Sequence, residues 1–122
     1  MSSSYALVID KKNIFEISFK SLSSLLDFIG ADDNLDQYRE FLKPFEVFNY
    51  NQKDEVFYTV KEIKKSAQVL SQIIEENVES WEKDKEFLDI QLSKAELIST
   101  FQNLANTLEQ LSDDQKIYPY NY

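Results

Sequence analysis

The chain has 122 residues, of which 13 are basic and 22 acidic, so that its formal charge is −9, and 14% of its residues are aromatic. It contains no His and no Cys, which excludes Ser–His and Cys–His catalysis as well as zinc, haem and iron–sulfur centres, and its single Gly excludes glycine-rich phosphate loops. The excess of acid also disfavours nucleic-acid and anionic-membrane partners, which attract clustered Lys and Arg, and favours a basic protein partner.

The first part of the chain predicts a β-hairpin. Residues 5–9 and 14–19 are rich in β-branched and aromatic side chains, and they flank the polar turn 10–13. In the second run, apolar residues alternate with Glu16 and Ser18, which is typical of a strand with one buried and one exposed face. The first run is apolar on both faces, so we expect it to lie centrally in a sheet or to be covered on both sides.

Two short helices and a second hairpin are predicted next. Helical spacing of apolar residues over 22–29 indicates a helix with Ser21 as its N-cap and Gly30 in the left-handed conformation that ends many helices. Another helix starts at Asp32 or Asp33 and ends at Lys43-Pro44. The aromatic, β-branched runs 45–50 and 56–60 flank a polar turn at 51–55 and predict the second hairpin.

Two long helices are predicted in the C-terminal half. Thr59 with Glu62, and Ser93 with Glu96, match the capping-box pattern that starts a helix. The first helix runs from 60 to about 84, and the segment that follows it, up to residue 92, fits either an extended run or a further helical turn. Each helix carries one apolar stripe, so the two are expected to pack as an antiparallel pair. The stripes consist of Ile63, Ala67, Leu70, Ile74, Val78 and Trp81, and of Leu97, Phe101, Leu104, Leu108 and Leu111.

These elements predict a single α+β domain over residues 1–122. Its antiparallel sheet of about four strands, formed by two hairpins, packs against the two long C-terminal helices, with the two short helices between the hairpins. We expect a soluble cytoplasmic protein, because the N-terminus lacks a signal-peptide pattern and no run approaches the roughly 20 apolar residues that span a bilayer. The Tyr-rich C-terminus, with Tyr118, Tyr120 and Tyr122, is expected to pack on its own domain.

No metal, cofactor or catalytic residue is expected. The segment from Asp32 to Asp36 comes nearest to a calcium loop, but it lacks the Gly at the sixth position and the Glu at the twelfth. Helix capping accounts for its carboxylates without a metal ion. An enzyme that uses two carboxylates is an alternative, for which Glu16 and Glu46 in the predicted strands are the best candidates, although the alternation of those strands places both on the exposed face.

Acidic residues form the candidate partner-binding surface. Glu75, Glu79, Glu82 and Glu86 are spaced +4, +3, +4, so they form a ridge beside the buried stripe of the first long helix, and no lysine belongs to the ridge itself. A second acidic group, Asp32, Asp33, Asp36 and Glu40, surrounds Tyr38 and belongs either to the same surface as the ridge or to a different one. Each group is either a solvated helix face or a docking surface for the Lys and Arg residues of a partner.

The chain resembles the small bacterial immunity proteins of toxin–immunity pairs. The resemblance lies in its size, its charge, its lack of catalytic residues and its acidic helix with aromatic residues nearby. The resemblance is one of type, without a sequence motif. It implies a non-catalytic inhibitor that blocks a basic toxin domain, for instance a nuclease, with carboxylates where substrate phosphates would lie. A nucleic-acid mimic, such as a phage-encoded inhibitor, and a self-associating structural or regulatory module of helices are the alternatives. For the leading interpretation we expect a monomer or a weak homodimer.

Overall fold

The computed structural model describes residues 4–46, 57–83 and 92–121. A four-stranded antiparallel sheet packs with helices around one hydrophobic core, which confirms the predicted α+β class. Short 3₁₀ turns, Asp33–Tyr38 and Lys43–Phe45, flank the second helix. The regular elements follow in the order β1 (Ser4–Ile9), β2 (Lys12–Ser18), α1 (Phe19–Gly30), α2 (Arg39–Leu42), β3 (Tyr58–Thr59), α3 (Val60–Trp81), α4 (Lys94–Glu109) and β4 (Lys116–Asn121).

The first hairpin forms as predicted, with a tighter turn. β1 and β2 pair antiparallel, and Ile9 lies opposite Lys12, so that the turn contains two residues. These residues, Asp10 and Lys11, both have positive φ, at 50° and 68°. Positive φ at both positions matches the right-handed twist of the flanking strands. β1 lies inside the sheet, between β2 and β4, as its two apolar faces predicted.

The fourth strand comes from the C-terminus of the chain. β4 lies between β1 and β3 and pairs antiparallel with both, giving the order β2-β1-β4-β3. The expectation that the Tyr-rich segment packs on its own domain is therefore confirmed. The prediction of a second hairpin falls mostly on residues 47–56, which lie outside the described part. Some residues at the two ends of the predicted hairpin are described. Those of β3 are extended, as predicted, whereas Phe45 is the last residue of a 3₁₀ turn.

The first helix begins earlier and ends differently from the prediction. Its N-cap is Ser18, whose hydroxyl accepts a hydrogen bond from the Ser21 amide at 3.1 Å. The prediction of Ser21 as N-cap was wrong, because the cap bond draws residues 19–21 into the first turn. Gly30 is the last residue of α1 and does not have positive φ. The chain passes from α1 through a right-handed Ala31 towards the next 3₁₀ turn, so no left-handed residue is needed there.

The two long helices form the predicted antiparallel pair. Thr59 and Glu62 make both bonds of a capping box, and the Ser93 hydroxyl accepts from the Glu96 amide at 3.2 Å. α3 ends at Trp81, three residues before the predicted end. All six stripe residues of α3 and four of the five of α4 are buried, while Leu111, past the end of α4, is partly buried against the core.

Aromatic rings join the sheet, the short turns and the helices. Phe15 and Phe45 both contact the ring of Phe101 on α4, with ring centroids 5.7 and 5.8 Å apart. Trp81 is 7% exposed and stacks on Phe28 of α1 at 5.7 Å, so its prediction as a core residue is confirmed. In the described part of the chain, no helix combines the length and apolar character needed to cross a membrane.

Tyr5 is a buried tyrosine whose hydroxyl is satisfied inside the core. Its ring is fully buried, and its hydroxyl donates a hydrogen bond of 2.6 Å to the backbone carbonyl of Pro44. Burial, with a smaller contribution from Tyr58, raises the pKa of the Tyr5 phenol well above its ordinary value. We expect Tyr5→Phe to lower the free energy of unfolding at pH 7 by about 1–3 kcal/mol, because the Pro44 carbonyl loses its donor.

The same variant has a pH signature. Above about pH 10 a tyrosine ionises in the unfolded chain, whereas folded Tyr5 stays neutral, so its contribution to stability is lost as the pH rises. Tyr5→Phe should therefore lose stability less steeply than the parent between pH 10 and 11, by up to about 1.4 kcal/mol per pH unit. Urea unfolding at pH 7, 10 and 11 measures this. Tyr118→Phe is the control, and identical alkaline slopes for Tyr5→Phe and the parent would contradict the burial of the phenol.

Candidate protein-binding surface

Three of the predicted acidic residues lie together on the flank of α3 that faces α4. Glu75, Glu79 and Glu82 are all exposed, and their +4, +3 spacing keeps them on one side of the helix. We call these three residues the acidic flank. Glu86, the fourth member of the predicted ridge, lies outside the described residues.

A polar groove of about 360 Å³ runs between α3 and α4 next to the acidic flank. Its floor includes Ser71 and Ala105, which are buried. Glu75 and Glu109, one from each helix, line it and form no ion pair with any described residue. The groove therefore offers carboxylate and amide oxygens to a hydrogen-bond donor. Its remaining lining side chains are Gln68, Gln72, Gln102 and Asn106.

Two ion pairs lie at the two ends of this groove, one between α3 and α4 and one between α3 and the turn after α4. Lys94 Nζ at the start of α4 is 3.0 Å from Glu79 Oε1, and Lys64 Nζ is 3.5 Å from Asp113 Oδ1 at the other end. No lysine is interleaved in the ridge itself, but Glu79 has a cationic partner in Lys94. Its cation comes from α4, which the spacing within one helix could not reveal. The Glu79 side chain is nevertheless 82% exposed, so it remains accessible to a partner.

The position of the acidic flank works against helix stability. Glu79 in the last turn of α3 and Glu82 at its C-cap lie where the helix dipole leaves partial negative charge and an acidic group costs about 0.3–1 kcal/mol, whereas Glu75 lies about two turns from the helix end. The last turn of α3 has no basic residue, while Lys61, Lys64 and Lys65 lie near its N-terminus. This order of charge is the reverse of the one that stabilises a helix. The helix dipole therefore does not explain the presence of Glu79 and Glu82 at this end of α3.

The second predicted group has structural roles for most of its members. Asp32 is an N-cap whose carboxylate accepts from the Asn34 amide at 2.9 Å, and Asp36 pairs with Arg39 at 3.0 Å. Tyr38 is half-buried against the core. Asp33, in the first turn after the cap, and Glu40, in the first turn of α2, are exposed. This group lies around the start of α2, and α2 packs on a different flank of α3 from α4, so the structure does not bring the two acidic groups onto one surface.

Sequence reasoning missed the α4 side of the groove. Gln102, Asn106 and Glu109 are spaced +4 and +3, so the same periodicity that identified the acidic ridge could have placed them on one face of α4. That face could not be assigned to the acidic flank before the pairing of the helices was known. The described residues contain no group of three or more acidic side chains placed to hold a metal ion.

Comparison of the chain with protein-family models, with curated proteins and with solved structures finds no match in any of the three.

Proposed function

We propose that this protein is a non-catalytic inhibitor of a basic protein, and specifically an immunity protein that neutralises a toxin domain. The observation that carries the proposal is the polar groove, to which each long helix contributes a carboxylate without an ion-pair partner among the described residues. A lysine or arginine that entered it would donate charge-assisted hydrogen bonds to the carboxylates of Glu75 and Glu109 and to the amide oxygens of the groove. The acidic flank extends this surface along α3.

The mode of action in this proposal is blockade. A toxin domain that acts on a phosphate-containing substrate presents basic side chains at its active site, and carboxylates held on rigid helices occupy the positions of the phosphates. The charge of −9 adds long-range attraction, which raises the rate of encounter. The unfavourable placement of the acidic flank against the helix dipole fits a surface selected for binding rather than for stability.

The two alternative functions make different demands on this surface. A nucleic-acid mimic would use the same carboxylates against a different basic protein, so the two proposals differ only in the partner. A module that self-associates through its helices would need exposed apolar stripes. The stripes are instead buried within the chain, and Phe57 is the one large hydrophobic side chain with high exposure among the described residues.

The first experiment tests whether this protein protects a bacterial cell from a toxin. Each reading frame next to this gene is expressed from an inducible promoter in a bacterial host, with and without this protein. We expect one neighbour with a basic domain to arrest growth, and co-expression to restore it through a stoichiometric complex. If no neighbour is toxic, or if rescue occurs without a complex, the proposal of an immunity protein is wrong.

Charge reversal of the acidic flank then tests the surface. The combined variant Glu75→Lys, Glu79→Lys and Glu82→Lys should slow association with the purified toxin at low salt at least tenfold and weaken the affinity by more than that. Stopped-flow kinetics at several salt concentrations measure both effects. The thermal midpoint should stay close to that of the parent, because lysines near the C-terminal end of α3 offset the lost pair with Lys94.

A matched control separates the surface from net charge. The variant Glu16→Lys, Asp27→Lys and Asp114→Lys makes the same change in formal charge at three exposed positions outside the acidic flank and the groove. It should affect association much less than reversal of the acidic flank. Equal losses in the two variants would contradict the assignment of the acidic flank as the contact surface.

A further inference from the structure

The groove between α3 and α4 holds its two carboxylates at opposite ends and on opposite walls. On each helix the first and last lining residues are seven positions apart, which is about 10 Å at 1.5 Å per residue. The helices are antiparallel, because Lys94 at the start of α4 pairs with Glu79 near the end of α3. Glu75 therefore lies at the end of the groove nearer to this ion pair, and Glu109 lies at the other end, about 10 Å away along the groove.

Carboxamide side chains make up most of the remaining polar lining. Gln68, Gln102 and Asn106 form no side-chain hydrogen bond with the described residues, and Gln72 donates one of 3.3 Å to Glu76. Each carboxamide can both donate and accept hydrogen bonds. Among the described residues, no lysine or arginine lines the groove. The complementary occupant is therefore positively charged at two points and carries both donors and acceptors between them.

The floor of the groove is small and already satisfied. Ser71 and Ala105 are buried there, and the Ser71 hydroxyl donates a hydrogen bond of 2.9 Å to the carbonyl of Ala67. The other six lining side chains are exposed, so a partner can reach them. The volume of about 360 Å³ falls within the range of sites that bind ligands. An occupant that rests on this floor leaves no buried polar group without a partner.

An extended polypeptide segment matches these features better than other basic ligands. A protonated diamine has only donors and leaves the carboxamide N–H groups without acceptors, and a helix uses its own backbone groups internally. An extended segment presents free backbone N–H and C=O groups and rises about 3.3 Å per residue, so that three residues span about 10 Å. Side chains an odd number of positions apart point to opposite sides. Basic residues at positions i and i+3 therefore reach both walls at the two ends of the groove.

We propose that the groove docks an extended segment of the partner that carries Lys or Arg at positions i and i+3. One cation pairs with Glu75 and the other with Glu109, and the backbone between them exchanges hydrogen bonds with the carboxamides. That this segment belongs to a toxin domain rests on the proposed function, whereas the spacing of its two cations follows from the groove alone.

Three peptides of one composition test the spacing. Each is an acetylated, amidated heptapeptide of two arginines and five alanines, with the arginines two, three or four positions apart, and each is titrated into the full-length protein labelled with ¹⁵N. The peptide with spacing three should bind about fivefold more tightly than the other two and shift the amide signals of the groove residues, because it alone reaches both carboxylates. Equal binding of the three peptides, or the absence of saturable shifts in these signals, would overturn the proposal.

A diamine separates recognition of a peptide from simple binding of two cations. A linear diamine with eight methylene groups carries two ammonium groups on a chain of similar length but has no peptide group. Asn106→Ala should weaken the peptide with spacing three about threefold, because a hydrogen bond to its backbone is lost, and should leave binding of the diamine unchanged. If the diamine binds as tightly as the peptide, the groove is a simple site for a dication and the proposal is wrong.

Variants of the two carboxylates locate the binding energy. Glu75→Gln with Glu109→Gln should weaken the peptide with spacing three about tenfold and remove its advantage over the other two peptides. Glu16→Gln with Asp27→Asn makes the same change in charge at exposed positions outside the groove and should alter binding less than twofold. An undiminished preference for spacing three in the Glu75/Glu109 variant would exclude the assigned contacts.

These results can be told apart from a failure of the proposed function. If the three peptides bind alike while co-expression still restores growth, the docking mode is wrong and the immunity proposal stands. If spacing three is preferred while no neighbouring gene is toxic, the immunity proposal is wrong and the docking of a basic extended segment stands.

Discussion

A chain shortened to end at Gln115 is expected to lose its cooperative unfolding transition. The deletion removes β4, which lies between β1 and β3 and through which β3 joins the sheet. It also removes Ile117, which is fully buried. Domains of this size are stable by only about 5–15 kcal/mol, so the loss of an internal strand is enough to unfold the chain. Far-UV circular dichroism during heating and the dispersion of amide proton signals measure the outcome.

Single substitutions in β4 show how much individual residues of this strand contribute to stability. Ile117→Ala should lower the free energy of unfolding by about 2–5 kcal/mol, because it leaves a cavity in the core. Lys116→Ala, at the neighbouring exposed position, should cost no more than about 1 kcal/mol, the size of the lost contact between its ammonium group and the Phe57 ring 4.5 Å away. If the shortened chain still unfolds in one sharp transition, the C-terminal strand is dispensable and the arrangement of the sheet described above is wrong.

The second large effect is expected from Phe101→Ala, with a loss of about 3–5 kcal/mol in the free energy of unfolding. Phe101 is fully buried, and its ring touches Phe15 of β2 and Phe45 of the 3₁₀ turn, so it joins α4 to two other parts of the core. Urea titration followed by circular dichroism measures the change. Gln102→Ala, at the adjacent exposed position, is the control and should have little effect.

A double-mutant cycle tests whether the aromatic contact itself matters. Phe101 and Phe45 have ring centroids 5.8 Å apart at an angle of 86°, which is the edge-to-face arrangement. Phe45→Ala and Phe101→Ala should therefore be non-additive, with a coupling of about 0.5–3 kcal/mol between them. Strict additivity would mean that the two rings do not share a packed environment.

The acidic flank and the polar groove both depend on the orientation of α3, and they face α4 near the C-terminal half of the helix. The capping box at Thr59 and the buried stripe fix the rotation of α3, and thereby fix which charges face outwards. Variants that disturb the stripe would therefore alter this surface and the stability of the fold together, whereas charge reversals at exposed positions alter the surface alone.

Local patterns predicted much of this fold. The alternation in β2, the capping residues Thr59 and Ser93 and the two apolar stripes each depend on interactions within a few residues, and all were confirmed. The end of α1 was not predictable in this way. Gly30 matched the pattern of a left-handed helix end, but the path of the chain from Ala31 towards the next turn determined its conformation.

The candidate site was predictable only in part. The spacing of Glu75, Glu79 and Glu82 placed them on one side of a helix, and the structure agrees. The groove could not be predicted, because it requires Glu109 and its neighbours on α4 to face Glu75 across the helix pair. The neutralising contact of Lys94 with Glu79 joins residues 15 positions apart and was missed for the same reason.

The composition by itself determined the acidic charge and the absence of histidine and cysteine chemistry. The spacing of apolar residues predicted the α+β class and the faces of the long helices, because it depends only on residues that are close together in the chain. Tertiary structure alone decided that the C-terminal segment enters the sheet between β1 and β3, and which charged side chains face one another across α3 and its neighbours. Strand order and helix pairing depend on contacts between residues far apart in the chain, and these are set by the shared burial of apolar surface in one core.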